Sequence, residues 1–116
     1  MEMFAFKDLL DSGEPIRVRA EIAIISTENG GRKSAICAKY RPNHNFGGPE
    51  DREFYIGQVE TPVGEKLYPG NIYNVPVTFL SGPGLSDLIK VGRVWRIQEG
   101  SKLVAMGKVL AVEANA

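Results

Sequence analysis

The sequence predicts an all-β domain, a six-stranded antiparallel β-barrel with a short N-terminal arm. Three observations carry that prediction. From Ile16 to Ile24 the chain alternates, with Ile16, Val18, Ala20, Ile22 and Ile24 on one face and Arg17, Arg19 and Glu21 on the other. This is the period of a strand with one buried side. Gly and Pro signals at Gly30-Gly31, Gly47-Gly48-Pro49, Pro69-Gly70 and Gly82-Pro83-Gly84 then cut the rest into short pieces, as turns do between strands. Finally, the 116 residues suit a single core, with residues 1–15 as the arm and 16–116 as the barrel.

In the arm, Phe4, Phe6, Leu9 and Leu10 would share one side of a short helix. Residues 35–40 follow the Gly30-Gly31 turn as the expected second strand, closed by Tyr40-Arg41-Pro42, where the proline holds Arg41 extended. Residues 42–51 read as a polar surface loop, and 53–60 as the third strand. Pro69-Gly70 suits a type II turn opening a fourth strand over 71–80. Pro76 within that strand predicts an edge position or a bulge, because proline lacks the ladder donor. One helical turn is expected over 86–90, capped by the Ser86 hydroxyl. Strands at 94–98 and 102–112, joined at Glu99-Gly100-Ser101, complete the set.

Charge bounds the function. Fourteen Lys and Arg balance 14 Asp and Glu, so bulk attraction to a polyanion is excluded and any nucleic-acid contact needs a local patch. Two basic regions qualify: Arg32, Lys33, Lys39 and Arg41 in one, and Lys90, Arg93, Arg96, Lys102 and Lys108 in the other. A solvated basic hairpin is the simpler reading of the first. Trp95 in the second reads as a core aromatic sooner than a base-stacking platform. The lone Cys37, in the apolar run Ala35-Ile36-Cys37-Ala38, reads as a core thiol in a reducing compartment. His44 reads as a surface residue, and Glu50, Asp51 and Glu53 as a solvated acidic loop. The phosphate-cradling Gly-x4-Gly-Lys-Ser/Thr signature is missing. Neither a secretory leader nor a run of ~20 apolar residues is found. The expectation is a cytoplasmic protein, not an enzyme, with no cofactor, no metal, no GTP site and no membrane contact.

A resemblance sharpens this. Arg19-Ala20-Glu21, Ser26-Thr27-Glu28-Asn29-Gly30-Gly31-Arg32-Lys33, Tyr40-Arg41-Pro42, Gly57-Gln58-Val59, Pro69-Gly70-Asn71 and the run from Trp95 to Val104 keep their order. Together they resemble the third, C-terminal β-barrel domain of bacterial translation elongation factor Tu, and Gly107 falls where that family keeps a glycine. The resemblance implies a six-stranded barrel that binds and does not catalyse, its partner being tRNA-like RNA or a protein of the translation apparatus. It places Asn43 where the family has a Gln that contacts tRNA or the neighbouring domain, and Glu99 near the tRNA stem. Arg32 and Lys102 flank these as phosphate contacts, and Lys33 and Arg41 share the same basic stretch. Arg96 stands in place of a small residue on the surface that packs against the family's GTP-binding domain. Two departures matter. The family's Thr-rich stretch becomes Gly48-Pro49-Glu50-Asp51-Arg52-Glu53, whose acids would repel phosphate, and the family's other two domains are missing from the sequence. The alternative reading is therefore a protein-binding mimic of the factor that makes no RNA contact.

Overall fold

Residues 14–113 are described by the structure, a computed structural model. The helix expected around Phe4 to Leu10 lies outside them, as does nearly all of the arm. Six antiparallel strands close into a barrel: β1 (Ile16–Ile24), β2 (Asn43–Asn45), β3 (Tyr55–Val59), β4 (Ile72–Phe79), β5 (Val94–Glu99) and β6 (Lys102–Glu113). Around the barrel the order is β1-β4-β3-β2-β5-β6, and β6 pairs back to β1. The longest strands, β1 and β6, carry most of the closure, with one bulge at Arg19/Ala20 and another between β5 and β6 at Ile97/Gln98. Such bulges sharpen the bend that a small barrel needs.

The alternation in β1 sends Val18, Ala20, Ile22 and Ile24 inward, as the sequence predicts. They meet Val59 of β3, Val75, Val77 and Phe79 of β4, Ile97 of β5 and Val109 of β6. At one end of the barrel the core is aromatic. Phe46 stacks on Trp95 with centroids 5.5 Å apart, and Phe79 meets Trp95 nearly edge-on at 5.6 Å. Trp95 is thus the expected core aromatic. Its indole lies flat on β6 where there is no side chain: a Cβ at Gly107 would come within 2.6 Å of the ring.

Several expectations need correction. Residues 35–40 form no strand; they make only isolated bridges, Ile36 to Leu67 and Tyr40 to Val59. Lys39 has φ 66°, which turns the chain out of any extended run. Strand β2 comes later, inside the stretch expected as a surface loop, and His44, Asn45 and Phe46 are buried. Cys37, expected in the core, is exposed, because the strand that would have carried it inward does not form. Pro76 sits neither in an edge strand nor at a bulge, since β4 has partners on both sides. Pairing with β3 stops at Val59–Val77, and the Pro76 carbonyl accepts from the Glu60 amide just beyond, so the missing donor falls where the ladder ends. The short helix α1 (Leu85–Leu88) is preceded by Gly84 in a left-handed conformation, and no side chain caps it. The Pro69-Gly70 turn is as expected: Gly70 has φ 90° and the Asn71 amide bonds to the Tyr68 carbonyl.

Candidate functional site

The two basic stretches meet at Glu99. After β1 the chain enters a 3-10 turn (Thr27–Asn29), in which the Asn29 amide bonds to both the carbonyl and the hydroxyl of Ser26 and which Gly30 closes at φ 95°. Gly31 then passes so close to the backbone that a Cβ would lie 2.1 Å from the Ile25 carbonyl oxygen. The Thr27 hydroxyl donates to the Arg32 carbonyl at 2.6 Å. This tight geometry aims Arg32 at the end of β5.

There the guanidinium makes four hydrogen bonds. It donates to the Ser34 carbonyl and hydroxyl, each at 3.1 Å, to the Ala35 carbonyl at 3.3 Å, and to Oε2 of Glu99. Its carbon lies 4.9 Å from the centre of the Tyr40 ring, within cation–π range. The Tyr40 hydroxyl donates to the same Glu99 oxygen. Partial burial alone would raise the Glu99 carboxyl, but the hydrogen bonds from Tyr40 and Arg32 outweigh it and hold the group below its usual range. Burial and the bond to Glu99 raise the Tyr40 phenol. Desolvation opposes the Arg32 charge, yet its bond to Glu99 raises the guanidinium on balance. The cluster therefore holds one negative and one positive charge and pins the 32–40 loop to the β5–β6 turn.

Around this anchor stand the other residues singled out from sequence. Lys102 pairs opposite Glu99 across the turn and is exposed, as is Lys33 next to Arg32. Arg41, also exposed, donates to Gln58 at 2.9 Å. Asn43 is half-buried between Ile56 of β3 and Gln98 of β5. Arg96 donates to the Gln98 oxygen at 3.0 Å, and Asn45 donates to that same oxygen at 2.8 Å. Arg32, Glu99 and Lys102 thus meet at one end of the barrel with Lys33 next in sequence to Arg32, while Arg41 is held by Gln58 of β3 and Asn43 and Arg96 lie on the β2–β5 wall.

The second basic stretch is divided by this arrangement. Arg93, just before β5, donates to the Phe46 carbonyl at 2.7 Å and covers the Phe46 ring. Six residues of extended chain, roughly 20 Å, separate it from Glu99. The acidic loop lies at that far end too. Asn45 bonds to the Gly48 carbonyl, and Asp51 accepts from the Glu53 amide at 2.8 Å beside Phe46 and Tyr55. Its carboxylates are therefore removed from the Lys33–Lys102 end.

His44 and Cys37 do not meet. The His44 Nδ1 accepts from the Trp95 indole at 3.0 Å and its Nε2 lies 3.0 Å from the Gly57 carbonyl, to which it donates. Both nitrogens are spent in the core, while Cys37 faces solvent. Among the described residues no three His, Cys, Asp or Glu side chains converge as metal ligands, and no helix is long and apolar enough to cross a membrane. Sequence reasoning passed over Tyr40, Gln58 and Gln98 as members of this surface. The available signal was the pairing of a tyrosine with arginines on either side of a turn. No family model matches the sequence.

Proposed function

We propose that the chain is a non-catalytic binding barrel similar to the C-terminal domain of elongation factor Tu, and that its Glu99-centred end contacts the backbone of a folded, tRNA-like RNA. The observation that carries the reading is the junction of both basic stretches on one carboxylate. Arg32 and Tyr40 brace Glu99, with Lys33 exposed next to Arg32 and Lys102 exposed opposite Glu99 across the turn. Removal of the acidic loop to the far end supports it further, since those carboxylates then repel no phosphate at this end. The few exposed cations imply modest affinity that falls steeply with salt.

A gel-shift titration with transcribed tRNA at low and moderate salt tests this. Binding that Lys33→Glu with Lys102→Glu abolishes, and that Glu53→Lys leaves in place, is the expected result. No shift at low salt, together with capture of one translation-apparatus protein from lysate that survives ribonuclease, would replace this reading with protein mimicry.

A further inference from the structure

The barrel carries a groove of about 310 Å³ between β3 and the segment following β4, with mainly apolar walls that include Tyr55, Ile56, Leu80 and Pro83. Ile56 remains 46% exposed within it. The far wall is fixed in place. The Tyr55 hydroxyl donates to the Pro83 carbonyl at 2.6 Å, and Gly82 lies so close that a Cβ there would come within 3.2 Å of the Tyr55 ring. Glu53 and Tyr55 also line a second cavity, of about 140 Å³, bounded further by Phe46, Asp51 and Leu88. Its carboxylates lack a countercharge. Asp51 accepts from the Glu53 amide at 2.8 Å, and among the described residues neither Asp51 nor Glu53 joins an ion pair. Of the neighbouring cations, Arg93 spends a donor on the Phe46 carbonyl, and Arg52, between the two acids in sequence, is exposed.

We propose that the two cavities form one docking site for an extended segment of a partner protein, in which a large apolar side chain stands beside an arginine or lysine. The apolar side chain fills the groove on Ile56 and Pro83 and supplies the buried anchor. The cation enters the smaller cavity, where it meets the Asp51 and Glu53 carboxylates and the rings of Phe46 and Tyr55. Because Glu53 and Tyr55 are a common wall, the two side chains occupy adjacent or next-but-one positions of the segment. Charge complementarity selects this occupant over the others. A phosphate backbone would meet charge of its own sign here. A wholly apolar segment would strip water from two carboxylates and return no partner. A bare cation finds too few ligands, since no three His, Cys, Asp or Glu side chains converge among the described residues. The site shares no residue with the Glu99 cluster, so it stands or falls apart from the RNA reading.

The test uses the full-length, isotope-labelled chain and two capped probe peptides, Gly-Ser-Arg-Leu-Leu-Gly and its reversed-order counterpart, titrated by NMR. The expected result is that one or both move the amide signals of Glu53, Ile56, Ser81 and Gly82 and leave those of β6 in place. Citrulline in place of the arginine keeps the shape and removes the charge, and should weaken binding about fivefold or more. Asp51→Asn with Glu53→Gln should abolish that difference, so that both forms of the peptide bind equally. Asparagine keeps an acceptor for the Glu53 amide, and an unchanged melting temperature verifies that the loop survives. Ile56→Ser should weaken the arginine and citrulline peptides alike. Groove amides unmoved at about 1 mM of either peptide would overturn the proposal, as would equal binding of the arginine and citrulline forms by the native chain. Movement of these amides with transcribed tRNA and not with peptide would give the site to RNA. Movement on concentrating the chain alone would give it to a second copy, and either result overturns the proposal.

Discussion

Inside the barrel, Trp95 donates its indole N–H to Nδ1 of His44 across 3.0 Å, and His44 donates its Nε2–H to the Gly57 carbonyl at 3.0 Å. The pairing fixes the neutral tautomer: one ring nitrogen must accept and the other must donate. Burial lowers the His44 pKa to about 4 from 6.5, against a smaller opposing effect of the Gly57 bond.

That shift makes stability depend on pH with a definite sign. A histidine whose pKa is depressed by folding takes up its proton more readily when unfolded. Its contribution is complete above pH 6.5 and is lost as pH falls toward about 4, a loss of order 3 kcal/mol. Urea denaturation of the native chain and of His44→Gln from pH 7.5 to 4 checks this. The difference between the two midpoints should narrow on acidification; a constant difference would contradict a neutral, buried His44.

Gly107 is required by Trp95. A methyl there would meet the indole at 2.6 Å, so Gly107→Ala should cost about 1–3 kcal/mol through overpacking. In a Trp95→Leu background the same substitution should cost much less, because the opposing ring is gone. A double-mutant cycle measured by chemical denaturation gives the coupling directly. Additive effects would mean that the glycine serves the backbone and not the ring.

Much of this architecture was legible in the chain, and the exceptions have physical causes. The alternation of Ile16 to Ile24, the Pro69-Gly70 turn and the buried Trp95 all announce themselves, because an apolar period or a positive-φ glycine is a local property. The second strand was hidden for the opposite reason. Asn43-His44-Asn45 is polar throughout, and its burial depends on partners far along the chain: Trp95 for His44 and Gln98 for Asn45. The apolar run around Cys37 pointed the other way, yet the left-handed Lys39 and the bond of Tyr40 to Glu99 draw it into a loop. Sequence singled out Arg32, Glu99 and Lys102, but their meeting at one end of the barrel is a product of its closure.

The exposed position of Cys37 has a direct consequence. In the native chain without denaturant, a colourless aromatic disulfide reagent should titrate one thiol within minutes, and Cys37→Ser should shift stability by no more than about 0.5 kcal/mol. Slow reaction, accelerated by urea, would return the residue to the core.

Tyr40→Phe isolates one strut of the Glu99 cluster. The tyrosine hydroxyl helps hold the carboxyl below its usual range, so its loss should raise the Glu99 pKa. The acid group then contributes less stability at neutral pH, because a carboxyl lowered by folding contributes above its unfolded pKa and loses that contribution as pH falls through the folded one. With part of the cluster open to solvent, the expected cost is near 1 kcal/mol. Amide exchange of the 32–40 loop should quicken at the same time, while that of β1 stays unchanged. Side-chain carboxyl NMR titration of Glu99 reads the shift.

Arg32 and Lys102 stand close to the same carboxylate but are expected to fail differently. Arg32 spends its donors on Glu99, Ser34 and Ala35, so Arg32→Gln should loosen the loop and lower thermal stability. Its effect on RNA affinity would then come through the displaced loop, with the dependence on salt nearly intact. Lys102 is exposed at the turn, so Lys102→Gln should leave the fold untouched. If it meets a phosphate, the slope of log affinity against log salt should fall by about 0.7–0.9. Measuring both slopes by titration separates a residue that shapes the surface from one that touches the polyanion. A full unit lost with Arg32→Gln and none with Lys102→Gln would mean that the guanidinium releases Glu99 to bind, contrary to the geometry around it.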